Sequence, residues 1–170
     1  MRRSAGILLY RGRGTSLQVL LAHPGGPFWS RRDEGAWTVP KGEREEGEAA
    51  DATARREFAE ELGCPAVGAL QPLGTIRQRG GKEVEAFALE GDFDPAALRC
   101  NAFEIEWPPR SGRVQSFPEI DRVAWFGLDE ARRRMLPAQA VFLDRLLALL
   151  QERSTGSASQ DQIAPPKNIR

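Results

Sequence analysis

Between Gly42 and Glu61 the chain concentrates eight acidic residues against three basic ones, a local net charge of −5, although the whole chain of 170 residues balances 24 bases with 24 acids. Three of these acids, Glu57, Glu60 and Glu61, stand at positions i, i+3 and i+4. On a helix that spacing gathers all three carboxylates on one narrow face. Left unpaired, carboxylates this close repel, and at least one keeps its proton. A hard divalent cation resolves the conflict, because it takes oxygen ligands and inverts the local pKa logic. A region this acidic also repels a polyphosphate unless a cation bridges the two. The residues therefore point to Mg²⁺, with Mn²⁺ as an alternative, and to phosphate chemistry. One His and two widely separated cysteines, Cys64 and Cys100, argue against a structural zinc site. No Ser–His or Cys–His constellation offers a covalent nucleophile, so attack by an activated water is expected.

The positioning element follows from the flanking residues. Glu48 to Leu62 carries Ala49, Ala50, Ala52, Ala54, Phe58, Ala59 and Leu62 with no proline or interior glycine, which predicts a helix. Gly63 suits the residue after a helix end, and Pro65 forbids continuation. Phe58, Ala59 and Leu62 point away from the carboxylates, where they can pack on a sheet.

In spacing terms the segment is Gly42, five residues, Glu48, seven residues, Arg56-Glu57, an apolar residue, any residue, Glu60-Glu61, any residue, Gly63 and an apolar position filled by Cys64. It resembles the Nudix box of enzymes that hydrolyse a nucleoside diphosphate linked to another group. The resemblance implies an α/β/α sandwich with a mixed β-sheet. It implies Glu57, Glu60 and Glu61 as metal ligands, the Gly42 carbonyl as a further ligand, and Arg56 as the residue that orients Glu48 or Glu57. Trp37-Thr38-Val39-Pro40-Lys41-Gly42 is similar to the segment in Nudix enzymes acting on long phosphate chains, with Lys41 holding a phosphate oxygen. Glu119 matches a downstream acidic position that supplies a further ligand or the general base. The stretches 21–29, 103–112 and 117–121, with the box, resemble a bacterial Nudix subgroup described as nucleoside triphosphate pyrophosphohydrolases.

Outside these motifs, Phe28, Trp29 and Trp107 are candidate walls for an adenine, with simple packing as the alternative. Arg77, Arg79 and Lys82 flank Gly80-Gly81 and could grip distal phosphates, or be solvated hairpin charges. Trp37 is expected in the core, and His23 as a structural loop residue.

The rest of the chain reads as strands at Ala5–Tyr10, Leu17–Ala22, Val67–Arg77, Val84–Glu90, Ala102–Trp107 and Arg122–Phe126. A short helix at Leu128–Arg134 and a final helix opened by Pro137 follow. One domain, 1–152, is expected, with a disordered tail over 153–170. Zero net charge and the absence of a basic stripe disfavour nucleic-acid partners. No stretch reaches the length of a membrane span, and a cytoplasmic enzyme fits the cysteine usage. The expected activity is Mg²⁺-dependent hydrolysis of a phosphoanhydride in a small nucleotide, leaning to dinucleoside polyphosphates such as diadenosine tetraphosphate. Two alternatives stay open: a triphosphate pyrophosphatase cleansing the nucleotide pool, and a nucleotide sensor without turnover. The oligomeric state is not specified by the sequence.

Overall fold

A computed structural model describes residues 1–160. Its centre is a mixed sheet of strands β1 (Arg3–Arg11), β2 (Gln18–Pro24), β3 (Lys41–Glu43), β4 (Gln71–Arg77), β5 (Glu83–Glu90) and β8 (Ile120–Gly127). The order is β4-β5-β1-β2-β8, with β3 paired to the first half of β1. Strands β1 and β5 run parallel, and the other pairings are antiparallel. Strands β6 (Ala102–Glu106) and β7 (Val114–Pro118) form a separate hairpin.

The apolar runs of β1, β2 and β5 are buried on both faces, and strand alternation divides them between two cores. Ala5, Ile7, Leu9, Leu20, Phe87 and Leu89 pack under helix α1 (Ala50–Leu62) with its Ala54, Phe58 and Leu62. Leu8, Tyr10, Val19, Leu21, Val84 and Ala86 meet Phe142, Leu143 and Leu146 of helix α3 (Val141–Gln160) on the opposite face. Helix α2 (Leu128–Arg134) adds Ala131 to that second core. The molecule is the expected α/β/α sandwich.

Four expectations about elements are corrected. The strand expected from Val67 begins only at Gln71, because Gly68 turns the chain at φ 126° and leaves Val67 exposed. Two short strands escaped the sequence reading, β3 of three polar residues and β7 with its exposed Val-Gln-Ser-Phe-Pro pattern. Pro137 opens a 3₁₀ turn, Pro137–Gln139, ahead of α3. Finally, α3 runs through 153–160, a stretch expected to be disordered, so the boundary drawn at 152 falls inside a helix. Propagating a helix from a packed stem costs far less than nucleating one, and Arg153 donates to the Tyr10 hydroxyl at 3.4 Å. The expectation for 161–170 lies outside the described residues. No helix among the described residues is long and apolar enough to cross a membrane.

Phe142 is fully buried between α3 and the sheet. Phe142→Ala should cost about 3–5 kcal/mol, read as a lower urea midpoint with little change in slope.

Candidate active site

The N-terminal half of the box is a loop that must return to helix α1, and one guanidinium holds it there. Arg56 Nε and Nη2 donate to the two oxygens of Glu48 at 2.9 and 3.0 Å, and Nη1 donates to Glu57 Oε1 at 2.8 Å. Its Nη2 also reaches the Glu43 carbonyl at 3.0 Å. The alternative left open by the sequence, Glu48 or Glu57, resolves to both. Hydrogen bonds from Arg56, then from the Glu45 N–H, hold the Glu48 carboxyl down at about 2.

Gly42 faces Glu57 with nothing between them. A Cβ at that position would lie 1.9 Å from Glu57 Cδ and 2.1 Å from Oε2, so only glycine admits the carboxylate. Its neighbour in the sheet, Gly6, is tight for a related reason: a Cβ there would meet the Pro40 carbonyl oxygen at 2.5 Å. The close approach lets 38–43 wedge between β1 and β2. Ile7 N–H bonds Pro40 O, and Ala22 and Thr38 exchange backbone hydrogen bonds.

Lys41 N–H donates to Glu61 Oε2 at 3.0 Å, which sets Glu61 against the loop. Burial, then the charge of Glu57, pushes the Glu61 carboxyl up to about 8, with Lys41 opposing. Burial also raises Glu57, against the pull of Arg56. Lys41 is pushed down to about 8 by burial and by the nearby Lys82, with Glu61 opposing. The helix therefore carries the strained acid cluster that the i, i+3, i+4 spacing implies.

These groups border a cleft of about 260 Å³ lined by Lys41, Glu61, Glu119, Trp29, Thr38 and Leu136 among others. Glu119 stands in the bend between β7 and β8 and is clamped through its backbone: its N–H bonds Asn101 O, and its carbonyl accepts from Gly25 N–H, both at 2.9 Å. A Cβ on Gly25 would sit 1.8 Å from the Pro118 carbonyl oxygen, so that turn and the Glu119 bend are locked together. The negative charge of Glu119 reaches Glu57 and Glu61 and raises both.

The other expected site residues divide. Trp29 lines the cleft, with the Arg32 guanidinium 5.5 Å from its ring centre. Phe28 and Trp107 pack edge-on at 5.3 Å and are not among the cleft-lining residues, so they do not form opposed walls there. Phe28 remains 60% exposed. Arg77 is turned to Glu83 at 3.2 Å in the outer strand, away from Lys41, whereas Lys82 stands beside Lys41 and Arg79 lines an adjoining cavity. Trp37 is core, edge-on to Phe126 at 4.9 Å. His23 is structural, but on β2, where it is fully buried and bridges Asp121 and the Arg32 carbonyl. The residue the sequence reading missed is Gln139, fully buried, whose Oε1 accepts from Val39 N–H at 3.0 Å. Its only signal was one amide side chain inside an otherwise apolar stretch, Leu136 to Leu143.

The family model for the NUDIX domain matches residues 1–146. The chain belongs to the Nudix family. It is a Nudix pyrophosphohydrolase. Among solved structures, a C. elegans Ap4A hydrolase in a binary complex is similar at TM-score 0.61 and 20% identity, over 88% of this chain and 98% of that one. A mutT/nudix family protein from Listeria innocua gives 0.58 at 20% identity, over 91% and 96%. The NUDIX domain of Shewanella oneidensis NrtR, complexed with ADP ribose, gives 0.54 at 19% identity, over 90% and 86%. No curated protein matches the sequence. At these identities the likenesses show the Nudix fold.

The donor set of this Nudix site fits a hard cation: carboxylates and a backbone carbonyl, with no sulfur or imidazole. Among the described residues, Glu57 Oε2, Glu60 Oε1 and Glu61 Oε1 receive no hydrogen bond, while Arg56 and the Lys41 N–H hold their partner oxygens. No three such groups among the described residues converge as a closed cage, so the side chains must draw together around a cation.

Two outcomes follow from this geometry. Gly42→Ala should expel the Glu57 carboxylate and lower kcat by at least about 100-fold, with circular dichroism unchanged. In the cation-free protein, Glu61 binds its proton more tightly folded than unfolded. Stability is then complete below the ordinary value of 4.5 and falls as pH rises toward about 8. Lys41 is charged in both states below about 8 and adds no slope there. Thermal unfolding in chelator across that window should show a falling midpoint, and saturating Mg²⁺ should flatten it.

Proposed function

We propose that the chain hydrolyses a phosphoanhydride in a nucleoside polyphosphate with Mg²⁺, and that dinucleoside polyphosphates such as diadenosine tetraphosphate are preferred. The observation that carries this is the meeting of Glu61, Glu119 and Lys41 on one cleft directly beside Glu57 and Gly42. Glu57, Glu60 and Glu61 would hold the cation, with Glu119 and the Gly42 carbonyl completing the oxygen set. Bound there, it supplies charge neutralisation on the phosphate and a lowered pKa for water. Arg56 keeps Glu57 aimed at Gly42 by its Nη1–H and keeps Glu48 out of the cleft. Lys41 Nζ, close to Glu61, donates to a phosphate oxygen and opposes the charge developing on the leaving group. The Glu119 carboxylate accepts no hydrogen bond among the described residues and is free to take a proton from the attacking water. Trp29, which lines the cleft, offers a ring face for a base.

The C. elegans Ap4A hydrolase shares the fold at 20% identity, and that likeness alone selects no substrate. The preference rests on cationic groups beyond the carboxylates, Lys41 and Lys82. Localisation in the cytoplasm is the reading that fits two free cysteines.

Glu57→Gln and Glu60→Gln should each reduce turnover by about 10³-fold or more while preserving the unfolding midpoint. A panel of nucleotides with Mg²⁺, resolved by chromatography, assigns the substrate. Release of adenosine triphosphate and monophosphate from diadenosine tetraphosphate supports the proposal. Faster release of pyrophosphate from simple triphosphates would replace it with pool cleansing, and nucleotide binding without turnover would replace it with sensing.

A further inference from the structure

Behind the wall of the cleft stands a histidine that is not among its lining residues. Strand alternation turns His23, with Val19 and Leu21, to the α3 face of β2, where its ring meets Trp37 edge-on at 5.2 Å. It is fully buried, whereas its neighbours in sequence, Ala22 and Pro24, line the cleft. A ring kept from water needs a partner for each of its nitrogens. Nδ1 meets Asp121 Oδ1 at 2.8 Å. Nε2 meets the Arg32 carbonyl at 2.5 Å, and because a carbonyl can only accept, Nε2 is the donor there. The ring thus joins strand β8, through Asp121, to the loop formed by residues 25–36.

That loop carries Trp29, and the bridge lands on the residue that closes its turn. Arg32 N–H donates to the Trp29 carbonyl at 2.9 Å, and Trp29 N–H donates to the Gly26 carbonyl at 3.4 Å. Other backbone ties lie at the ends of the loop. Gly25 N–H bonds the Glu119 carbonyl, while Gly35 and Ala36 N–H bond the Arg133 and Arg134 carbonyls. Asp33 accepts from Trp37 Nε1 at 3.0 Å and pairs with Arg122 at 3.7 Å. Both partners of that ion pair are about half exposed, so water screens it and it holds little. Phe28 leans on Trp107, at the end of the separate hairpin strand β6. Within the turn itself, the tie made from the buried side of the central sheet is the His23 bond.

We propose that His23 is a positioning residue for the nucleobase: by holding the Arg32 carbonyl it sets the Trp29 ring in the cleft, so that affinity for the base, and not for the phosphates, depends on it. This rests on the pyrophosphohydrolase reading with Trp29 as the base wall, and adds to it the group that aims that wall.

The two ring nitrogens can be tested separately. Counted in bonds from Cβ, the amide nitrogen of asparagine stands at the place of Nδ1 and that of glutamine at the place of Nε2. His23→Gln therefore keeps a donor for the Arg32 carbonyl, and His23→Asn keeps only the contact to Asp121. Calorimetry on the full chain with Mg²⁺ compares methylene-bridged, non-hydrolysable adenosine triphosphate with methylene-bridged inorganic triphosphate. The unmutated protein should prefer the nucleotide by about fivefold or more, as one stacked base supplies. His23→Asn should cut that preference to about twofold or less, with affinity for the base-free ligand held within about twofold, and His23→Gln should keep most of it. Trp29→Ala should remove the preference as well.

If His23→Asn does not fold, Asp121→Ala repeats the comparison from outside the buried position, against Asp121→Asn, whose amide oxygen still accepts. The preference should fall with Asp121→Ala alone. Equal behaviour of the paired substitutions, an equal loss for both ligands, or a preference untouched by Trp29→Ala would overturn the assignment. Every readout is binding. Failure of the hydrolase reading shows separately, as absence of turnover on any nucleotide, and leaves these ratios to decide the role of His23.

Discussion

The arrangement depends on one guanidinium. Arg56 makes a two-pronged contact with Glu48, a third with Glu57 and a fourth with the Glu43 carbonyl. It thereby pins the start of the loop, the end of the loop and the first carboxylate of the helix cluster to a single plane. A lysine cannot do this, because its ammonium is a point charge without the rigid fork. The pairing also divides the acids by role. Glu48 loses its appetite for a proton and becomes a structural anion. Glu57 and Glu61 are pushed the other way by burial and by each other. A cluster left in that state is stabilised by whatever brings positive charge to it, so affinity for a cation is built in by the same contacts that fold the loop.

Close backbone approach is the second constraint, and it explains where the site sits in the sheet. Strands β1 and β2 pair at Tyr10–Val19 and Arg11–Gln18, then diverge. Residues 38–43 enter the gap, hydrogen-bonded to β2 at Thr38 and to β1 from Pro40 onward. Entry is possible because Gly6 gives no side chain to Pro40 and Lys41. The box is thus presented at a fork within the central sheet, between the two cores, and does not hang from an edge loop.

The acidic half of this site was legible because helix geometry gathers Glu57, Glu60 and Glu61 at the i, i+3, i+4 spacing on one face. The apolar runs of β1, β2 and β5 were legible because both their faces are buried. What was hidden is set by contacts distant in sequence. Three residues of β3 have no hydrophobic period to detect, and their strand character comes from pairing with Ser4 to Gly6. Gln139 meets Val39 across 100 positions. Phe28 and Trp107 were grouped with Trp29 because aromatics suit nucleobases, yet they satisfy one another edge-on and leave Trp29 alone in the cleft. The end of α3 was misread because its Ser-Thr-Gly composition says nothing of the packed turns that precede it.

Strand alternation finally separates the two kinds of charge. Lys41 and Gly42 are consecutive, so their side-chain directions are opposite: Lys41 lies on the face of α3, and Gly42 opens toward α1 and admits Glu57. Adjacent residues thereby serve opposite charges, the acids approaching through the α1 face and the Lys41 ammonium from the other, close enough for Lys41 and Glu61 to offset one another in part. A slip of one residue in β3 would exchange them. It would drive the lysine stem into Glu57 and leave a bare glycine where the ammonium now lines the cleft. The register is protected at these two glycines, since a side chain slipped into position 42 would collide with Glu57 and one at position 6 with Pro40 and Lys41. The positions without side chains are therefore the ones that decide which side chains line the cleft.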